Sequence, residues 1–267
     1  VIHQALRALE TQTVQSVLYG KGSPFMDLKL PCGGSLGLMI DPQPDAGVLR
    51  AALHELQSRR AVTLSFSRSR GLLGREAALA VDDALTVRYL PKPRLVLSGR
   101  GAVFRATATL AAASGFELGL VSPDQNDLDA LAELEPATMI KMTTSRESLV
   151  FPVDSHSAFL VLFHDHDWEP QVLAAAVKAN PFFIGAMGSQ KTHKIRLLSL
   201  RALGLTEPDL AKIRGPVGLV PSLKNASHIA LSALSEVIGA LPPLQSAVEE
   251  ADAGTGPHRV PALSEET

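Results

Sequence analysis

The feature that most constrains this chain is the run Arg94-Leu95-Val96-Leu97-Ser98-Gly99-Arg100-Gly101. There a short, continuous apolar stretch ends in two glycines and gives way to an Ala- and Leu-rich segment over residues 101–114. An apolar run without alternation suits a strand covered on both faces, as in a parallel sheet. A glycine turn directly after such a strand, opening a helix, is half of a βαβ unit. The texture continues downstream. Residues 116–121, 138–142, 158–163 and 182–184 read as strands, and 128–134, 171–179, 191–203 and 229–241 as helices. Strands alternating with helices imply crossover connections and a parallel sheet with helices on both faces. The predicted fold class is α/β, with a C-terminal Rossmann-like, doubly wound parallel sheet preceded by a small α+β domain.

That smaller domain is assigned because the alternation is missing before Pro93. The spacing of Ile2, Ala5, Leu6, Leu9, Val14 and Leu18 predicts one long helix, stopped by Gly20 and Gly22. Strands follow at 26–30 and 35–40 around the turn Pro31-Cys32-Gly33-Gly34, then a helix over about 46–57 and strands at 61–66 and 85–90. The predicted organisation is a small α+β domain over 1–92, a Rossmann-like domain over 93–244, and a flexible Pro-, Gly- and Glu-rich tail over 245–267.

Composition narrows the function classes. A net charge of -2 leaves no basic surplus to neutralise a phosphate backbone, and 4% aromatic residues are too few for base-stacking platforms. Nucleic acid is therefore not an expected partner. The single cysteine, Cys32, forms no internal disulfide and suits a reducing compartment. No apolar run reaches membrane-spanning length, so no membrane is expected and the cytoplasm is the expected location.

Three constellations carry chemistry. At the first strand-to-helix turn, Gly99 makes the tight turn, Gly101 lets a phosphate approach the backbone, and Ala102 and Val103 open the helix with unpaired N–H groups. Two features depart from the dinucleotide pattern. Phe104 stands at the third fingerprint position, and Ser122 stands where an acidic residue would grip the ribose of NAD, with Asp124 two residues later. NAD(P) is thus disfavoured, and a Rossmann-like domain that does not use NAD stays open. The second constellation is His164-Asp165-His166 after the most apolar strand. Residues two apart in extended chain face the same side, so both imidazoles can position a ligand or shuttle protons. The bland alternative has one ring capping the sheet edge, while Asp167 or Glu169 starts the next helix. A metal site is not expected, because no further His/Cys cluster has a ligand spacing. The third is Gly185-Ala186-Met187-Gly188-Ser189-Gln190-Lys191, a second glycine turn at a helix N-terminus, with Arg196 one turn on. Without Walker spacing it is either an anion site or an ordinary turn with a solvated lysine. Cys32, in Pro-Cys-Gly-Gly, is either a reactive thiol or a small buried hydrophobe.

In order along the chain, these segments resemble the xanthine dehydrogenase accessory proteins, the XdhC/CoxI family. The carriers are Pro31-Cys32-Gly33-Gly34, residues 94–101, His164-Asp165-His166, the run 183–189 with Lys191 and Arg196, and Gly215-Pro216-Val217-Gly218-Leu219. The resemblance implies a protein that binds molybdenum cofactor, in mono- or dinucleotide form, and inserts it into a molybdenum hydroxylase such as xanthine dehydrogenase. It would be a carrier more than a catalyst, with a cysteine desulfurase and a second copy of the chain as further partners. Gly99, Gly101, Ala102, Val103, His164, Asp165, His166, Gly185, Gly188, Ser189, Lys191 and Arg196 would then face the pterin and its phosphate. Family members begin with a further glycine-rich segment, so the resemblance implies a short or clipped member. The competing expectations are an NAD(P)-dependent oxidoreductase and a degenerate interaction module.

Overall fold

The computed structural model describes residues 1–23, 31, 33–75, 83–144, 153–163 and 167–242. Its contacts divide the chain into two compact units, one built on Val1–Tyr89 and the other on Leu90–Pro243.

The first unit contains α1 (Ile2–Thr11), β1 (Gln15–Gly20), β2 (Ser35–Ile40), α2 (Ala46–Gln57), β3 (Val62–Ser67), β4 (Gly71–Arg75) and β5 (Ala84–Tyr89). The long helix expected to run through Leu18 stops at Thr11. Gln12 turns left-handed, and residues 15–20 pair antiparallel with β2, Val17 opposite Leu38. Tertiary pairing overrides the helical spacing here, because the segment finds a strand partner that periodicity alone does not reveal. β3 pairs antiparallel with β4 on one side and β5 on the other. α2 is capped by Asp45, whose carboxylate accepts the Gly47 and Val48 N–H groups, and it packs on this sheet through Ala52, Val48 and Leu56.

The second unit runs β6 (Arg94–Gly99), α3 (Gly101–Ala113), β7 (Glu117–Ser122), α4 (Gln125–Asp129), a 3-10 turn (Ala132–Leu134), β8 (Thr138–Lys141), β9 (Ser157–Leu162), α5 (Glu169–Ala179), β10 (Phe183–Ala186), α6 (Gln190–Ala202), α7 (Glu207–Ala211), β11 (Ile213–Arg214) and α8 (Ala226–Gly239). The six strands lie in the order β11-β10-β9-β6-β7-β8, and every adjacent pair is parallel. Counted within this unit, that is the 3-2-1-4-5-6 order of a doubly wound nucleotide-binding sheet.

The continuous apolar strands have the reason expected of them. Leu95, Leu97, Leu160 and Leu162 face one core with Phe104 and Ala108 of α3 and Leu234 and Val237 of α8. Val96, Phe159 and Val161 face the other, against Val172, Leu173 and Ala176 of α5 and Leu200 of α6. Alternate residues thus enter opposite cores. α7 and β11 close the sheet edge; both are too short for periodicity to announce them.

Candidate functional site

The strand order reverses between β6 and β9, and ligands of open α/β sheets bind outside the carboxyl ends of the strands at such a point. Gly99 ends β6 there. A Cβ at this position would lie 2.9 Å from both Cβ and the carbonyl oxygen of Leu162, so only glycine lets the two strands close together. Beside it, Ser98 Oγ is the buried side-chain polar atom that lacks a hydrogen-bond partner among the described residues.

α3 begins at the turn that follows. Gly101 takes φ +80°, a left-handed conformation that suits glycine. Arg100, the N-cap, makes no side-chain cap. Instead the Gly101 N–H donates to Asp127 Oδ2 at 2.5 Å, and the other carboxylate oxygen pairs with the Arg105 guanidinium. Asp127 sits in α4 and is only 1% exposed. Ala102 and Val103 form the first turn of α3, and Val103 points its side chain into the core. Phe104 is fully buried in that core, which absorbs the ring at the fingerprint's third position. After β7, Ser122 is buried and its Oγ accepts the Asp124 N–H at 3.1 Å. Asp124 caps α4 by accepting the Asn126 N–H at 2.9 Å. Both groups nearest a ribose position are therefore engaged within the fold.

The second glycine turn follows β10. Gly185 is a packing glycine: a Cβ there would lie 2.7 Å from Leu160 Cδ2 and from Val217 Cγ2. Met187 N–H donates to the Val161 carbonyl at 2.9 Å, and Gly188 takes φ +143°. Ser189 caps α6, its Oγ accepting the Thr192 N–H at 3.1 Å. Gly188, Ser189 and Lys191 are exposed. Arg196 is not: it is 3% exposed, and its Nε donates to Glu169 Oε1 at 2.6 Å. Its Nη2 donates to the Met187 carbonyl at 2.5 Å, and Nη1 donates to His193 Nδ1 at 3.1 Å. Arg196 thus ties the glycine turn to α5 and α6. Because guanidinium only donates, His193 Nδ1 is the acceptor and the neutral ring carries its proton on Nε2. Burial, and then the adjacent Arg196 charge, hold His193 below the usual imidazole value.

The segment after β11 forms the facing wall. The Gly215-Pro216 bond is cis. Val217 N–H donates to the Ala186 carbonyl at 3.0 Å, Gly218 N–H to Glu236 Oε2 at 2.6 Å, and Val220 N–H to Ser232 Oγ at 2.8 Å. Between this wall and the second turn lies a crevice of about 550 Å³, lined among others by Phe163, Met187, Gly188, Thr192, Val217 and Ile229. The lining mixes apolar side chains with glycine backbone, the Gln190 amide and the hydroxyls of Thr192, Ser222 and Ser232.

The two glycine turns therefore follow the carboxyl ends of β6 and β10 in one parallel sheet, with β9 between those strands. His164, Asp165, His166 and Cys32 lie outside the described residues. Among the described residues, no group of three or more His, Cys, Asp or Glu is arranged to hold a metal ion, and no helix is long and apolar enough to cross a membrane. Sequence reasoning missed Asp127, the Glu169–Arg196 pair and His193. Asp127 stands 26 residues from the N–H it holds, and nothing in the run Gln125-Asn126-Asp127 marks it apart from any solvated helix start.

Comparison with known proteins places this arrangement. Residues 95–237 match the XdhC Rossmann domain. Over 238 residues the chain is 33% identical to the molybdenum cofactor insertion chaperone PaoD of Escherichia coli K12, covering 88% of this chain and 68% of the relative. Over 153 residues it is 30% identical to a probable xanthine dehydrogenase component of Bacillus subtilis 168, covering 57% of this chain and 44% of that one. The fold is shared with a crystal structure of a xanthine dehydrogenase from Bacillus halodurans, with a TM-score of 0.71 at 18% identity, over 89% of this chain and 78% of that one. With a matching domain across the parallel sheet and a relative of this identity over most of its length, the chain belongs to the XdhC family.

Proposed function

We propose that this chain is a carrier: it binds molybdenum cofactor as cargo and inserts it into a molybdenum hydroxylase such as xanthine dehydrogenase, without catalysing a reaction of its own. The observation that carries the reading is the crevice between the second glycine turn and the wall at 215–223. Its lining brings Phe163, Met187, Val217 and Ile229 together with Gly188, Gln190 and Thr192, and Ser189 and Lys191 are exposed in the same turn and helix start. The cofactor joins a flat pterin to a phosphate, and those two parts need such a mixture of apolar and polar groups. In this reading the α6 N-terminus and Lys191 take the phosphate, because a helix N-terminus and a nearby cation both favour negative charge. Gly185 and Arg196 act by shaping the turn. Gly99, Gly101, Ala102 and Val103 line the neighbouring edge at the switch point, and His164, Asp165 and His166 contact the ring as proton donors and acceptors. The relative that is a molybdenum cofactor insertion chaperone supports the assignment.

The cytoplasm is the matching site of action. A cysteine desulfurase and a second copy of the chain are the further partners in this reading. Leu231 and Ile238 on α8, 58% and 46% exposed, support self-association through an apolar helix face.

Ser189→Asp tests the proposal. Aspartate caps a helix as well as serine does, so the fold is kept while a negative charge is set where the phosphate would bind. In anaerobic titrations, wild type should bind molybdenum cofactor saturably and activate the cofactor-free hydroxylase. The variant should bind at least about tenfold more weakly with an unchanged melting temperature. Equal binding by both proteins would remove the second turn from the site, and no binding by wild type would end the carrier reading.

A further inference from the structure

We propose that Asp127 is an internal anion that occupies the first glycine turn, so that this Rossmann-like domain excludes the phosphates of free dinucleotides from the place where such domains commonly hold them. This role is independent of the cargo the carrier takes.

Three observations carry it. The Asp127 carboxylate accepts the Gly101 N–H at 2.5 Å, at the N-terminal end of α3, where the helix dipole and unpaired N–H groups favour negative charge. The same carboxylate is paired with Arg105, the cation of the next helical turn, leaving that charge compensated. The side chain is 1% exposed, so the carboxylate is packed into the turn as part of the fold. A buried carboxylate is tolerated only where its charge is answered, and here a backbone donor and a guanidinium answer it. A phosphate approaching this turn would meet a like charge already in possession of the donor.

The device accounts for an oddity of the sequence. Gly99 and Gly101 preserve the backbone of a phosphate-binding turn, yet Arg100 provides no side-chain cap and Ser122 and Asp124 each accept a backbone N–H within the fold. The glycines are retained for close strand packing and for the left-handed start of α3. Asp127 then supplies the missing helix cap from 26 residues away. A carrier built on a fold that commonly binds abundant nucleotides gains selectivity by closing the turn that would capture them.

Calorimetric titration of the full chain with ADP, NADH and inorganic pyrophosphate decides the matter, using wild type, Asp127→Ala and Asp127→Asn. Wild type should give no saturable binding of any of the three at millimolar concentration. Asp127→Ala should bind ADP and NADH at least about tenfold more tightly than wild type, because the N-terminal donors and Arg105 are released together. Asp127→Asn removes the charge with little change in shape and should gain less. It also serves as the test if circular dichroism shows that the alanine variant has not folded. Nucleotide binding by wild type that neither folded variant improves would overturn the proposal, and so would the absence of any gain in both. Ser189→Asp leaves this turn untouched, so failure of the carrier reading and failure of this one are separately visible.

Discussion

Arg196 looks in the sequence like a cation one helical turn behind a glycine-rich anion site. In the fold it is 3% exposed and shares its donors among Glu169, the Met187 carbonyl and His193. Its charge is thereby answered inside the protein, and its contribution is to hold the turn that carries Gly188 and Ser189. His193 completes this group, its ring lying against Gly215 so closely that a Cβ there would be 2.1 Å from Nδ1. A definite pH dependence results. Its folded-state value is depressed, so above the unfolded value of about 6.5 both states carry a neutral ring and the contribution is complete. As pH falls below that value the unfolded chain takes up the proton first, and stability drops until the folded value is passed. Urea unfolding between about pH 7.5 and about pH 5, the span of one imidazole titration, should show wild type losing more stability than His193→Gln. Glutamine still accepts from Arg196 but does not titrate; parallel profiles would mean that His193 carries no such coupling.

Among the elements, the decisive contact is between β6 and β9, the pair at which the strand order reverses. Their register runs from Arg94 opposite Ser157 to Gly99 opposite Leu162, and the last of these pairs has no room for a side chain on the glycine. Gly99→Ala should destabilise the protein by about 1–3 kcal/mol in denaturant unfolding, because the added methyl meets backbone as well as a side chain. A loss below about 0.5 kcal/mol would show that the strands can part without cost. This glycine was legible in the sequence as a turn former. Its stronger reason, the proximity of Leu162, was not, because the two residues become neighbours only through the parallel pairing of distant strands. Gly185 behaves likewise: inside an apparent anion loop, it is required by the side chains of Leu160 and Val217.

For the molecule as a whole, the two units differ in how much core they own. The second has two extensive buried clusters, one on each face of its sheet. The cluster of α2 and its sheet holds Ala52, Val62 and Leu64 as its buried members among the described residues. Small cores give marginal domains. Heating should therefore melt the unit of Val1–Tyr89 before the unit of Leu90–Pro243. The single tryptophan makes the order observable: Trp168 lies in the second unit, stacked on Phe163 with ring centroids 6.4 Å apart. Its fluorescence should follow only the later transition, whereas far-ultraviolet circular dichroism should report both. Coincident curves from the two probes would show one cooperative unit instead.

Local pattern was enough for the α/β class, the parallel sheet with two covered faces, and the two glycine turns at helix starts. Apolar runs, helical spacing and glycine punctuation act over a few residues and read directly along the chain. The same kind of pattern misjudged residues 15–18 as helix, because strand pairing with residues 35–40 outweighs spacing. Which charges are available to a ligand was settled only by the folded arrangement. Asp127 reaches Gly101 across 26 residues, and Glu169 reaches Arg196 across 27. Whether an ionic group meets a ligand or another part of its own chain depends on burial and partners brought together by the sheet order, and linear spacing carries no record of either.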